Sequence, residues 1–192
     1  MMKGFFAAAA TRAAAFVTAA ILAWAPAAPS AAAGVLPGAV DLAATGRAIA
    51  ADGAPLVVLY SQESCGWCDR ARSQLVPMSR QTDIGARFAQ IDIDRATPLT
   101  DFAGRDTTHA RFAQDEAIRF TPMLVIYGPS GQRLTEPVVG MGAVDFYAAQ
   151  VLQAIAQARA QLTAGRAQTA AIVPQQALPE PVDPIRSAGP RP

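Results

Sequence analysis

The chain contains two cysteines, Cys65 and Cys68, separated only by Gly66 and Trp67. A pair this close cannot staple distant parts of a domain, so no disulfide framework stands in for an apolar core. The fold must be held by the chain's own hydrophobic runs. Those runs follow an N-terminal segment of different character, with no acidic residue before Asp41. Lys3 and Arg12 precede an uncharged stretch from Ala13 to Ala25, then Pro26, Pro29 and Ala31-Ala32-Ala33. That order of charged, apolar and small residues reads as a secretory signal over residues 1–33. The apolar stretch is 13 residues, short of the roughly 20 that a spanning helix requires. An uncleaved anchor starting near Phe5 and tolerating Arg12 is the alternative.

Cleavage would leave 159 residues, enough for one domain with a substantial core. They carry 14 basic and 15 acidic side chains. Such a balance excludes a nucleic-acid reader that works by bulk charge, which needs a basic face or stripe. The single lysine, Lys3, would leave with the signal.

Val40, Ala43, Ala44, Ala48 and Ala51 recur near helical spacing and predict a first helix closed by Asp52-Gly53. Leu56 to Tyr60 is a short continuous apolar run with β-branched residues at its centre, the pattern of a strand buried on both faces. An amphipathic helix is expected after the cysteines, with Ala71, Leu75 and Met78 inward and Pro77 kinking or ending it. Phe88 to Asp94 alternates apolar and polar residues and predicts a strand with one wetter face. Pro98 to Thr108 reads as a loop or short insertion. Thr107 or Thr108 can cap a helix to about Ile118, with Ala110, Phe112 or Ala113, and Ala117 inward. Met123 to Tyr127 and Gln132 to Val139 flank Gly128-Pro129-Ser130-Gly131 and predict an antiparallel hairpin. A last helix is expected from Val144 to Gln161, with Phe146, Val151, Ile155 and Ala158 on its apolar side. Beyond Gly165, six prolines and no periodic apolar face predict a disordered tail over residues 165–192.

The cysteines fall directly after a buried strand and at the start of a helix. There the unpaired backbone N–H groups and the dipole favour an anion, so Cys65 should be the thiolate nucleophile. Cys68, one turn further and shielded, should resolve the mixed disulfide. Zinc would need four ligands, and the pair plus the single histidine, His109, falls short. Haem attachment would need a histidine at position 69, which is Asp. A structural disulfide closing so small a ring would constrain little of the unfolded chain. No metal or cofactor is implied.

With these features in place, Val40 to Gln161 resembles the thioredoxin superfamily. The resemblance rests on the strand, Cys65-Gly66-Trp67-Cys68, the helix, Phe120-Thr121-Pro122 opening a later strand, the Gly-rich hairpin, Gly140-Met141-Gly142 and the final helix. It implies an α/β thioredoxin-like fold over residues 34–164, a central mixed β-sheet flanked by helices on both faces. It also implies that Pro122 is cis beside the sulfurs and that the Thr121 backbone can pair with an extended substrate strand. Gly66 and Trp67 would tune the redox potential, and Trp67 would offer a substrate platform, the alternative being that it packs on the domain. With the signal and the tract Ser61 to Ser64, the chain is most similar to periplasmic thioredoxin-like thiol:disulfide oxidoreductases. Its partners would then be exported proteins carrying disulfides and a membrane electron donor, and it would work as a monomer.

Departures from the family pattern bear on mechanism. Ser64 stands where thioredoxins carry tryptophan, Trp67 where they carry proline, and Leu59 where they carry a buried acid. No proton acceptor for Cys68 is identified from the sequence. Asp69 should lie about 100° around the helix from Cys68 and reads as a solvated or capping carboxylate; His109 reads as a surface residue. Glu63 and Asp69 flank the pair, and nearby negative charge disfavours thiolate, which predicts a reducing rather than strongly oxidising potential. Two function classes stand: a thiol–disulfide oxidoreductase, working as reductant or as oxidant, and a non-catalytic binding module on the same fold.

Overall fold

The computed structural model describes residues 35–172; the expected signal over residues 1–33 lies outside them. In chain order the elements are α1 (Leu42–Asp52), β1 (Leu56–Ser61), α2 (Gly66–Ser79), β2 (Arg87–Asp92), β3 (Pro98–Thr100), β4 (Asp106–Thr108), α3 (His109–Asp115), β5 (Met123–Tyr127), β6 (Val138–Val139) and α4 (Val144–Ile172). The main sheet runs β2-β1-β5-β6. β1 is parallel to β2 and antiparallel to β5, and β5 pairs antiparallel with β6. The sheet is therefore mixed, as the resemblance implies.

β1 is buried along its whole length because helices cover both faces of the sheet. Val57, Leu59, Phe88, Leu124 and Ile126 point to one side and pack with Ala71, Leu75 and Met78 of α2 and Tyr147, Val151, Ile155 and Ala158 of α4. Val58, Tyr60, Ile91, Val125 and Tyr127 point to the other, against Leu42 and Ile49 of α1 and Phe112 and Ala113 of α3. This division follows from the two-residue period of a strand. On the second side Tyr60 and Tyr127 share a hydroxyl hydrogen bond of 2.6 Å, and Tyr127 donates to Glu116, itself paired with Arg133. Burial pushes both tyrosine hydroxyls above their ordinary range.

Several expectations are corrected. α1 buries Leu42, Gly46 and Ile49 rather than the alanine stripe, because Asp41 caps the helix through the Ala44 N–H and leaves Val40 outside it. Pro98 to Thr108 is a two-stranded antiparallel ribbon, β3 with β4. Thr108 caps α3 as expected, but Ala117 lies beyond the helix, exposed and at φ 55°. In α4 the inward aromatic is Tyr147; Phe146 is 71 % exposed. Tyr147, Val151, Ala154, Ile155 and Ala158 keep the three- and four-residue spacing that one helix face requires, and Phe146 breaks it.

The first part of the range predicted as tail is helical. α4 continues through Gly165 to Ile172, and the remainder of the tail lies outside the described residues. Alanine, glutamine and arginine after Gly165 are strong helix formers and outweigh the roughly 1 kcal/mol that one glycine costs. Arg166 reinforces the extension by donating to the Ile49 carbonyl at 3.0 Å, near the end of α1.

Two stability predictions arise from these contacts. A Cβ on Gly46 would collide with the Pro129 carbonyl oxygen, a backbone atom that cannot swing aside. Gly46→Ala should therefore lower stability by about 1–3 kcal/mol, read as a reduced urea midpoint; an unchanged midpoint would contradict the close approach. The Arg87 guanidinium and the Ala54 N–H hold the Asp52 carboxyl at about 2. Its contribution is present above the unfolded carboxylate range, near pH 4, and is lost as pH falls through about 2. Because Asp52 is half exposed, Asp52→Asn should cost less than about 1 kcal/mol at pH 6 and clearly less near pH 2. Denaturation at the two pH values measures the difference.

Candidate active site

The loop after β1 delivers the cysteine pair to the N-terminus of α2. Cys65 is the N-cap: its backbone is extended and its Sγ accepts the Cys68 N–H at 3.2 Å. The orphan N–H groups of the first helical turn thus point at the sulfur, as expected for a group that must carry negative charge. Cys65 is half-buried, whereas Cys68 is 0 % exposed. The two form a disulfide of 2.07 Å. Only Cys65 can meet an incoming protein, so the roles assigned from the sequence agree with accessibility. Ser64, just before the pair, has φ 57°, a left-handed conformation that non-glycine residues adopt uncommonly and that clusters at functional loops.

Thr121 and Pro122 approach from the sheet. Thr121 Oγ1 donates to Cys65 Sγ at 3.7 Å, and the Thr121–Pro122 peptide is cis. The Pro122 carbonyl accepts the Gly140 N–H at 2.8 Å, which ties the Gly140-Met141-Gly142 loop to the same edge. Phe120, Val139 and Trp67 are exposed apolar side chains on these segments. Trp67 carries the Arg70 guanidinium over its ring at 5.5 Å, so one ring face is partly covered. A Cβ on Gly66 would point into open space, meeting no atom within 4 Å beyond its own chain neighbours and helix backbone.

Below the pair lies a polar cluster that reading the sequence missed. Arg72 donates to Ser61 Oγ at 2.7 Å and to Gln90 Oε1 at 3.3 Å, and Gln90 donates to Asp92 Oδ1 at 2.7 Å. The available signal was the polar side of β2: its expected wetter face exists, but the helix carrying Cys68 covers it. Gln90 is buried there.

The flanking acids are not free charges. Asp69 is paired with Arg72, and Glu63 with Arg95 at 2.9 Å. Their pairing removes the support for a reducing potential drawn from Glu63 and Asp69 alone.

His109 is likewise not a surface residue. It starts α3 and is buried. Its Nδ1 accepts the Asp92 N–H at 3.1 Å, and its Nε2 donates to the Ala39 carbonyl at 2.8 Å. It joins the segment before α1 to the end of β2 and lies away from the sulfurs, on the second side of the sheet.

A nucleophilic cysteine capping a helix, a buried partner one turn on and a threonine–proline edge beside them define a dithiol–disulfide centre. The model of the thioredoxin-like domain family matches residues 42–157, and the chain belongs to that family. Among solved structures, the oxidised form of mitochondrial thioredoxin 3 from Saccharomyces cerevisiae is similar at 17% identity and TM-score 0.41, over 58% of this chain and 89% of that one. Fasciola hepatica thioredoxin is similar at 14% identity and TM-score 0.44, over 62% of this chain and 97% of that one. No curated protein matches the chain.

Proposed function

We propose that this chain is an exported thiol:disulfide oxidoreductase that reduces or exchanges disulfides of periplasmic proteins through the Cys65/Cys68 dithiol. One observation carries the reading most: the half-exposed Cys65 caps α2 with Thr121 Oγ1 on its sulfur, while Cys68 is fully enclosed. In the reductive direction the Cys65 thiolate attacks one sulfur of a substrate disulfide. The other substrate sulfur leaves as thiolate and takes a proton. Cys68 then loses its proton and attacks Cys65 Sγ, the second substrate sulfur leaves, and the Cys65–Cys68 disulfide forms. Two electrons have passed to the substrate.

Exposed Trp67, Phe120 and Val139, on the segments that carry Cys65, Thr121 and Gly140, suit an extended, partly apolar polypeptide, with the Thr121 backbone as its strand partner. The signal-like order of Lys3, Arg12, Ala13 to Ala25 and Ala31-Ala32-Ala33 supports export. An oxidising compartment would require a membrane donor of reducing equivalents to restore the dithiol. The opposite direction, as oxidant, is favoured by one observation: Arg72 is held inward beneath the pair.

Dithiothreitol-driven reduction of insulin tests the assignment. The wild-type chain should shorten the lag before insulin precipitates, and a lag equal to dithiothreitol alone would leave a binding module. Trp67→Ser with Phe120→Ser should slow exchange with protein disulfides by about tenfold, the loss of roughly 1.4 kcal/mol of apolar contact. Exchange with a small disulfide should stay near the wild-type rate; equal losses on both substrates would count against a polypeptide groove.

A further inference from the structure

Arg72 follows Cys68 by four residues, so their side chains leave the same face of α2 with Cβ atoms about 5–6 Å apart. That face lies against the sheet. Strand alternation places Leu59, Ser61, Gln90 and Asp92 on the α2 side, with Ser61 beside Asp92 and Leu59 beside Gln90 in the β1–β2 register. The position where the family keeps a buried acid is thus filled by Leu59, and the nearest buried polar groups are bound by a cation. Arg72 is held by Ser61 Oγ and Gln90 Oε1 on the inside and by Asp69 on the outside. Its side chain is 20 % exposed and that of Asp69 is 71 % exposed. Water therefore screens the anion more than the cation, and both side chains line one cavity with Cys65.

We propose that Arg72 is a positioning residue that stabilises the thiolate of the reduced Cys65–Cys68 pair and so sets the balance between dithiol and disulfide. This rests on the oxidoreductase reading and goes beyond it. Reduction of the pair by two glutathione molecules breaks the Cys65–Cys68 bond, forms glutathione disulfide, leaves one thiolate and one thiol, and releases one proton to water. A cation beneath the site favours that product. Asp92 opposes it. Its carboxylate accepts from Gln90, and it lines, with Cys65, Asp69, Arg72 and Gln90, a cavity of about 380 Å³ beside the attacking sulfur. Of the other charges nearby, Glu63 and Arg95 line the same cavity but pair with each other, the Asp94 carboxylate takes the Glu63 N–H, and Arg70 lies over Trp67.

The test is equilibration of the full chain against a glutathione series, with the pH titration of Cys65 followed by thiolate absorbance. Arg72→Gln should move the equilibrium about tenfold toward the disulfide, a potential about 30 mV more negative, and should raise the pH midpoint of the thiolate. Arg72→Lys should recover at least half of the shift. Asp92→Asn should move both readouts the opposite way. A purely structural role would lower the melting temperature without moving them in opposite directions. An Arg72→Gln constant within twofold of wild type, or an Asp92→Asn shift in the same direction as Arg72→Gln, overturns the proposal. Should Arg72→Gln fail to fold, Asp92→Asn decides alone: a shift toward the dithiol supports the proposal, and no shift overturns it. Failure of the oxidoreductase reading shows separately, as a chain that equilibrates with glutathione yet leaves insulin intact.

Discussion

Cys65→Ser should reduce insulin no faster than dithiothreitol alone, the largest functional loss available to a single substitution in this chain. A serine hydroxyl at the N-cap would still accept the Cys68 N–H, since serine is among the best capping residues, and α2 should keep its start. The fold survives while the nucleophile is gone. Cys68 cannot substitute for it, because its sulfur is enclosed between α2 and the sheet. The asymmetry has its own readout. In the reduced wild-type chain, a limiting amount of iodoacetamide should label Cys65 well before Cys68, in proportion to exposure and thiolate character. Equal labelling, or residual insulin reduction above background in Cys65→Ser, would contradict the assigned roles.

His109→Ala should be among the most destabilising changes outside the apolar core. The imidazole satisfies the Asp92 N–H and the Ala39 carbonyl, and alanine leaves both without a partner. Each group left unsatisfied costs about 1–3 kcal/mol, so a loss of about 2–6 kcal/mol is expected. Against a total stability of roughly 5–15 kcal/mol this is large. Because the Gln90 N–H donates to the Pro37 carbonyl and the Gln90 carbonyl accepts the Ala39 N–H, the outer edge of β2 should loosen first. Urea denaturation checks the size of the effect, and amide exchange at Gln90 and Asp92 checks its place. A cost under about 1 kcal/mol would show that His109 does not tie these segments together.

How far the sequence reveals this molecule depends on how local each signal is. Apart from the β3–β4 ribbon, which in sequence reads as a loop or short insertion, the order of strands and helices from Leu56 to Tyr127 follows from short apolar runs and from Pro and Gly positions. Cys65 is legible because a cysteine at a strand-to-helix turn has a chemical consequence that needs no tertiary information. Thr121 and Pro122 lie 56 and 57 residues from Cys65, and no local pattern brings them there; the family resemblance supplied that link.

Side-chain facing was less legible where alanine is abundant. In α1 and α4 an Ala-rich stretch offers several plausible stripes, and tertiary packing chose those containing Leu42, Ile49 and Tyr147. His109 was misread because burial of an imidazole depends on two backbone partners, Asp92 and Ala39, that are distant in sequence. The Arg72 cluster escaped for a related reason. Charges on an amphipathic helix ordinarily face water, and this one is turned inward by Ser61 and Gln90, on two different strands.

Trapping of the exchange intermediate tests the central claim directly. Reduced Cys68→Ser, mixed with an unfolded protein that carries one disulfide, should accumulate a covalent one-to-one adduct that dithiothreitol dissolves. Peptide mass mapping should place the linkage on Cys65, and the wild-type chain should not accumulate the adduct because Cys68 resolves it. If Cys65 is alkylated readily in the same preparation and yet forms no adduct, the chain does not exchange disulfides with proteins and the account fails.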